Sequence, residues 1–143
     1  MIFHKKIKGS NFSDERGGLI FFNDFDMTEV IRMYEISPSD IKIIRGWQAH
    51  QEEKKWFYCN TGSFIMNIVR VNDFDSPSPS INAEKFLLDA KIPSVLEISG
   101  GYATAFKAQT ENSKLIVFSN FSLEESKNDD YRFSIDQWSA NWQ

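Results

Sequence analysis

Apolar and β-branched residues recur along the chain in runs of strand length, each bounded by turn-forming residues. The runs are residues 2–8, 17–23, 30–36, 41–50, 54–60, 63–72, 83–89, 94–98, 102–108 and 113–120. The segments between them, "SDERGG", "SPSD", "NTGS", "SPSPS", "SGG" and "TENS", are rich in Gly, Pro, Asn, Asp and Ser, which supply turn geometries. This pattern predicts an all-β chain of about ten short strands. The piece "DFDSPSPS" at 73–80 is too short to separate two domains and reads as a long hairpin connection. Helix is expected only near the end, where Ser122 and Glu125 form a capping box ahead of "LEESKND". Glu124 and Glu125 there suit the electrostatics of a helix start better than acid–base work.

At 143 residues the chain is expected to be one domain, spanning 1–143, large enough to bury about two thirds of its unfolded surface. Its 13 phenylalanines, with four tryptophans and four tyrosines, are a heavy aromatic load, which favours strands. The formal charge of -4 argues against a general nucleic-acid grip but leaves room for an anionic small ligand held by local arginines. One cysteine, Cys59, forms no internal disulfide and sits in an apolar run that suits the core. The opening "MIFHKKIKGS" lacks the long apolar core of a signal peptide, and no run approaches membrane-spanning length. The expected location is the cytoplasm, with no membrane and no nucleic acid among the partners.

Candidate chemistry concentrates in "IIRGWQAHQEEKKWFYCNTGSF", residues 43–64. In an extended strand Gln48 and His50 share a face, Gly46 leaves room beside them, and Trp47 points the other way. Lys55, just past a turn, returns beside that face if the two runs form an antiparallel hairpin. His50 is then either part of a pocket wall or a strand-end residue that meets solvent or a carbonyl, and spacing does not choose. A transition-metal site would need three or four converging N, O or S ligands. The other histidine is His4, near the terminus, and the first position of a would-be His-x-His pair is Gln48, so neither a metal nor another cofactor is expected. No Gly-x-Ser-x-Gly elbow and no phosphate-binding Gly-rich loop occurs.

Four segments, "FSDERGGL" (12–19), "RGWQAH" (45–50), the expected hairpin "KKWFYCNTGSF" (54–64) and "LEISGGYATAF" (96–106), resemble in order and separation the cupin-type sugar-nucleotide epimerases and ketoisomerases. That family includes the dTDP-4-dehydrorhamnose 3,5-epimerases, the dTDP-4-keto-6-deoxyglucose 3,4-ketoisomerases and their capsule-locus relatives, and the resemblance covers about residues 10–120. It implies a double-stranded β-helix, a cupin-like jelly-roll barrel with a short C-terminal helix, usually a homodimer and metal-free. Such a barrel holds a nucleotide-linked 4-keto sugar and moves protons at carbons beside the ketone.

The resemblance also suggests roles. The ketoisomerases carry Gly-Phe-His-Ala-His where this chain has Gly46-Trp47-Gln48-Ala49-His50, so the second histidine is kept as His50 and the first is replaced by Gln48, which makes strict 3,5-epimerisation doubtful. An imidazole titrating near neutrality suits proton abstraction next to a ketone, and a cation or donor at the ketone oxygen stabilises the enolate. Lys55 matches the lysine that faces the sugar in the epimerases, while Lys54 is an equally near match to the ketoisomerase pattern. Arg16 and Arg45 match arginines used on the diphosphate or sugar, a task that suits the guanidinium fork. Tyr34 lies where the ketoisomerases present a tyrosine, and Tyr102 lies on a strand whose side chains face the barrel mouth. The acid tyrosine that the epimerases place after the strand equivalent to 115–120 is absent, with Asn120 and Phe121 there instead. The catalytic candidates are therefore His50, Lys55 and Tyr34, and the substrate-binding candidates Arg16, Arg45, Gln48 and Tyr102. The expected function is isomerisation or epimerisation of a dTDP- or UDP-linked 4-keto-6-deoxyhexose for surface polysaccharide. The alternative is a non-catalytic cupin that binds a carbohydrate or nucleotide sugar.

Overall fold

The computed structural model describes all 143 residues. In chain order the elements are β1 (His4–Lys8), β2 (Ser10–Asp14), β3 (Gly17–Phe21), β4 (Arg32–Ile36), β5 (Ile44–His50), β6 (Lys55–Thr61), β7 (Ser63–Arg70), β8 (Glu84–Asp89), β9 (Ser94–Ile98), β10 (Tyr102–Ala108), β11 (Lys114–Ser119), α1 (Leu123–Lys127) and β12 (Tyr131–Arg132). Every predicted run holds a strand: 94–98 and 102–108 match residue for residue, β6 ends one residue later at Thr61, and the others are trimmed at one or both ends. Two strands lack a hydrophobic signature. The first, β2, is exposed along nearly its whole length and lies partly within the segment read as a turn, and β12 is two residues long and exists only by pairing with β5. The helix starts as the capping box requires: Ser122 Oγ accepts the Glu125 N–H and the Glu125 carboxylate accepts the Ser122 N–H.

Two five-stranded antiparallel sheets face each other, ordered β1-β9-β6-β11-β4 and β12-β5-β10-β7-β8, with the β2–β3 hairpin apart from both. Most successive strands change sheet. The segment 54–64, read above as a hairpin, is instead an arch: β6 lies in the first sheet and β7 in the second. Gly62 makes that arch possible, since its φ of 75° is left-handed and an added Cβ would fall 2.1 Å from Ser113 Oγ. The β5–β6 connection crosses between sheets in the same way, so Lys55 does not return by a hairpin. The long 71–83 connection does join an antiparallel pair, β7 and β8. This antiparallel, sheet-switching double layer is the jelly roll expected from the resemblance.

The apolar load divides into three layers. Between the sheets lie Phe57, Cys59, Phe64, Met66, Leu96, Phe106 and Leu115. On the outer face of the second sheet Trp47, Ala49, Val69 and Ala103 are covered by the C-terminal segment through Trp138, Phe133 and Trp142. On the outer face of the first sheet Trp56, Ile7 and Val95 lie under Phe22, Phe25 and Val30. Both faces of β7 are thus covered, which explains its unbroken burial from Ser63 to Val69. No helix is long and apolar enough to cross a membrane.

Candidate active site

The site is built on β5 and its neighbour β10. Tyr102 pairs with His50 and Thr104 with Gln48, after which the register shifts so that Phe106 pairs with Arg45. The irregularity places Arg45 and Gln48, three residues apart, on the same cavity, where a regular strand would put them on opposite faces. Gly46 is needed there for a reason other than the one expected. Its φ is 146° and an added Cβ would meet Ala105 Cβ at 2.4 Å, so its space is taken by β10 rather than left to the pocket. Trp47 points outward, as expected, and packs edge-on against Trp138.

The barrel mouth holds a cavity of about 480 Å³. Tyr34, Arg45, Gln48, Lys55, Thr104 and Arg132 bring polar groups to it, and Phe57, Phe106 and Phe133 give it apolar walls. That volume and mixture suit a small-molecule site. Lys55 Nζ stands 3.5 Å from Gln48 Oε1, at the outer limit of a hydrogen bond, and 5.7 Å over the Tyr34 ring. Gln48 Nε2 donates to Asp130 Oδ1 at 3.0 Å, and Arg132 Nε donates to the same oxygen at 2.8 Å. Burial pulls the Asp130 carboxyl upward, but the hydrogen bonds from Arg132 and Gln48 and the Arg132 charge hold it below its usual value. Arg16, Arg32 and Arg132 each pair with a carboxylate, whereas Arg45 does not.

Lys55, Phe57 and Thr104 also wall a much smaller recess of about 10 Å³, lined by His50, Glu53, Ser99 and Tyr102. His50 is 7% exposed. Its Nδ1 lies 2.7 Å from the Asp129 carbonyl oxygen, which only accepts, so Nδ1 carries the hydrogen and Nε2 is the basic nitrogen of the neutral ring. Burial, and then the Lys55 charge, push the imidazole below its ordinary value; Glu53, the Asp129 carbonyl and the Asp129 charge pull the other way. Asp129 itself is a clamp on the β5–β6 turn, its carboxylate accepting the N–H groups of Gln51, Glu52 and Glu53 at 2.8–2.9 Å.

Of the residues singled out in the sequence, Tyr34, Arg45, Gln48 and Lys55 therefore line one cavity, and His50 and Tyr102 line the recess behind it. The Tyr102 hydroxyl is bonded to His4 Nδ1 at 3.0 Å, and its phenol is pushed up chiefly by burial. Lys54 faces away from the cavity, binding Glu29 at 3.1 Å and lying 3.8 Å from Glu97, so of the two adjacent lysines it is Lys55 that reaches the site. Arg16 sits at the tip of the β2–β3 hairpin, bound to Asp14 and away from the cavity. Sequence reasoning did not single out Arg132, Thr104 or Glu53. Thr104 was legible, two residues from Tyr102 on the same strand face; Arg132 and Glu53 arrive through tertiary contacts alone. No grouping of three or more His, Cys, Asp or Glu side chains is placed to hold a metal ion.

No protein-family model and no curated protein matches the chain. Solved structures do. The 3,4-ketoisomerase from Thermoanaerobacterium thermosaccharolyticum in complex with TDP aligns with a TM-score of 0.70 at 21% identity, covering 94% of this chain and 90% of that one. The 3,4-ketoisomerase from Helicobacter canadensis gives 0.70 at 20% identity over 93% and 92% of the two chains. The rmlC epimerase of Mycobacterium tuberculosis gives 0.78 at 19% identity over 97% and 74%. Likeness of backbone at so low an identity speaks for the architecture, and the chain has the cupin-type jelly-roll fold of the sugar-nucleotide ketoisomerases and epimerases.

Proposed function

We propose that this protein is an isomerase or epimerase of a nucleotide-linked 4-keto-6-deoxyhexose, acting by proton transfer beside the ketone. The observation that carries the reading is His50: a buried imidazole, fixed through Nδ1 and biased toward its neutral form, in a recess that shares Lys55, Phe57 and Thr104 with a cavity holding an unpaired arginine. A similar fold from Thermoanaerobacterium thermosaccharolyticum has been solved with TDP-4-keto-6-deoxyglucose, which supports the substrate class.

In this reading His50 Nε2 takes the proton from the carbon next to the ketone. The C–H electron pair forms the enolate double bond, and the charge moves to the ketone oxygen, where the Lys55 ammonium stabilises it. Return of the proton to the neighbouring carbon, with the hydroxyl proton passing from one oxygen to the other, moves the ketone along the ring. Donation of a proton to the same carbon from the opposite face by the Tyr34 hydroxyl, with His50 keeping the proton it took, inverts that carbon, and solvent then exchanges the two protons back. Tyr34 is the hydroxyl donor across the cavity, Gln48 orients the sugar, and Arg45 with Arg132 takes the diphosphate. Tyr102 closes the back of the recess. The protein works without a metal or cofactor, in the cytoplasm, in the supply of deoxysugars for surface polysaccharide.

A homodimer fits the same reading. The β2–β3 hairpin pairs with no other strand and exposes Phe12, Leu19 and Ile20. Arg16, on that hairpin, meets a nucleotide only if a second copy brings the hairpin to the cavity.

The test is solvent exchange. Wild type in deuterium oxide with TDP-4-keto-6-deoxyglucose is expected to place deuterium beside the ketone, read by NMR and mass spectrometry. His50→Asn is expected to bind TDP as before and to lose at least about 100-fold in exchange rate. Exchange unchanged in the variant would remove His50 as the base. No exchange in wild type with any 4-keto sugar nucleotide would leave a protein that only binds.

A further inference from the structure

The most completely buried acid in the molecule is Glu53, in the β5–β6 connection, whose side chain has no solvent exposure. Its carboxylate collects donors. Ser119 Oγ donates to Oε2 at 2.5 Å, and Arg32 Nη2 donates to the same oxygen at 3.1 Å. Ser126 Oγ, on α1, donates to Oε1 at 2.7 Å, and His50 Nδ1 lies 3.4 Å from that oxygen. Residues from β4, β11 and α1 thus converge on one carboxylate whose remaining neighbour is the proposed base. A buried carboxylate is costly without compensation, and a merely structural one would be satisfied by Arg32 and the two serines.

We infer that Glu53 is the positioning carboxylate of His50, acting through its charge to stabilise the imidazolium that forms when Nε2 takes a proton from substrate, while the Asp129 carbonyl holds the ring. The inference rests on the proton-transfer reading above. Glu53 touches neither substrate nor reacting atoms in this account; it acts through His50. The division of labour follows from the surroundings. Burial and the Lys55 ammonium of β6 keep the resting ring neutral, while Glu53 limits how far they push it and gives the transferred proton a counter-charge. The other charged or titratable groups around the ring are Asp129 and Asp130, between α1 and β12, and Tyr102 of β10. The Asp129 carboxylate is occupied by three backbone N–H groups and Asp130 by Gln48 and Arg132, whereas Glu53 Oε1 has the imidazole beside it.

The experiment uses the whole chain and follows the His50 ring by NMR as pH is varied; there are two histidines, so His4→Gln assigns the signals. Glu53→Gln keeps the shape and removes the charge, and is expected to lower the His50 midpoint by about one unit or more. Exchange kcat is expected to fall about tenfold with KM unchanged, and Glu53→Asp to recover part of both. Ser126→Ala withdraws the donor from Oε1, leaving more negative charge beside His50, so the midpoint is expected to rise by about half a unit. Opposite shifts in the two variants show that the Glu53 charge acts on the ring, and the fall in exchange kcat at constant KM separates a positioning role from a purely structural one. A His50 midpoint that stays put in Glu53→Gln overturns the inference, and if that variant does not fold, an unchanged or lowered midpoint in Ser126→Ala does so. The titration needs no substrate, so failure of the sugar reading, seen as absent exchange in wild type, is separate from failure of this one.

Discussion

Asp129→Asn is the sharpest structural test of how the site is held. The carboxylate accepts Gln51 N–H through Oδ1 and the N–H groups of Glu52 and Glu53 through Oδ2, while the carbonyl of the same residue anchors His50. An asparagine has one acceptor oxygen and one donor nitrogen. In its better orientation the oxygen serves Glu52 and Glu53, and the amide nitrogen is turned toward the Gln51 N–H, donor against donor. Leaving that N–H without a partner costs about 2 kcal/mol, and replacing two charge-assisted bonds by neutral ones costs about 1 kcal/mol each, about 4 kcal/mol together. Against a typical stability of about 5–15 kcal/mol this is large. Urea unfolding at pH 7.5 reads it directly, with Asp130→Asn as the comparison. Asp130 contacts only side chains and is partly exposed, so its loss is expected to cost under about 1 kcal/mol. Equal, small losses in both variants would show that the turn is held by something other than the Asp129 clamp.

Because burial first and Lys55 second depress the His50 value below 6.5, exchange activity is expected to rise through a midpoint on the acid side of 6.5 and to be flat above it. The sign for stability is the same: as pH falls below 6.5 the unfolded chain binds a proton that folded His50 resists, so unfolding free energy drops until the folded midpoint is passed. Urea titrations across that window should show this slope in wild type and not in His50→Asn. Arg45→Ala and Arg132→Ala are each expected to weaken TDP binding by about 10- to 100-fold, less at high salt, and calorimetry showing no change in either would take the diphosphate away from this cavity. Light scattering is expected to find a dimer that Leu19→Asp converts to monomer; a wild-type monomer would refute the pairing through β2–β3.

The sequence by itself determined which segments are strands and which residues are apolar inside them. Alternation along 44–50 put Gln48 and His50 on one face and Trp47 on the other, and the structure has them so. The capping box at Ser122 was equally local, needing only a hydroxyl and a carboxylate three residues apart. What the sequence did not contain is which strand lies beside which. A turn such as "NTGS" has the same composition whether the next strand hydrogen-bonds to the last or crosses to the facing sheet, so arches were read as hairpins. The same limit hid part of the site. Nothing local distinguishes Lys54 from Lys55; strand phase turns one toward Glu29 and the other into the cavity. Glu53, in a run of charges, looks like a solvated turn until α1 and β11 close over it, and Asp129 meets His50 and Arg132 lies opposite Gln48 across distant parts of the chain because β12 pairs with β5. Burial preference is written residue by residue, whereas the meeting of distant groups depends on the free energy of the whole sheet pairing, and only the folded chain decides it.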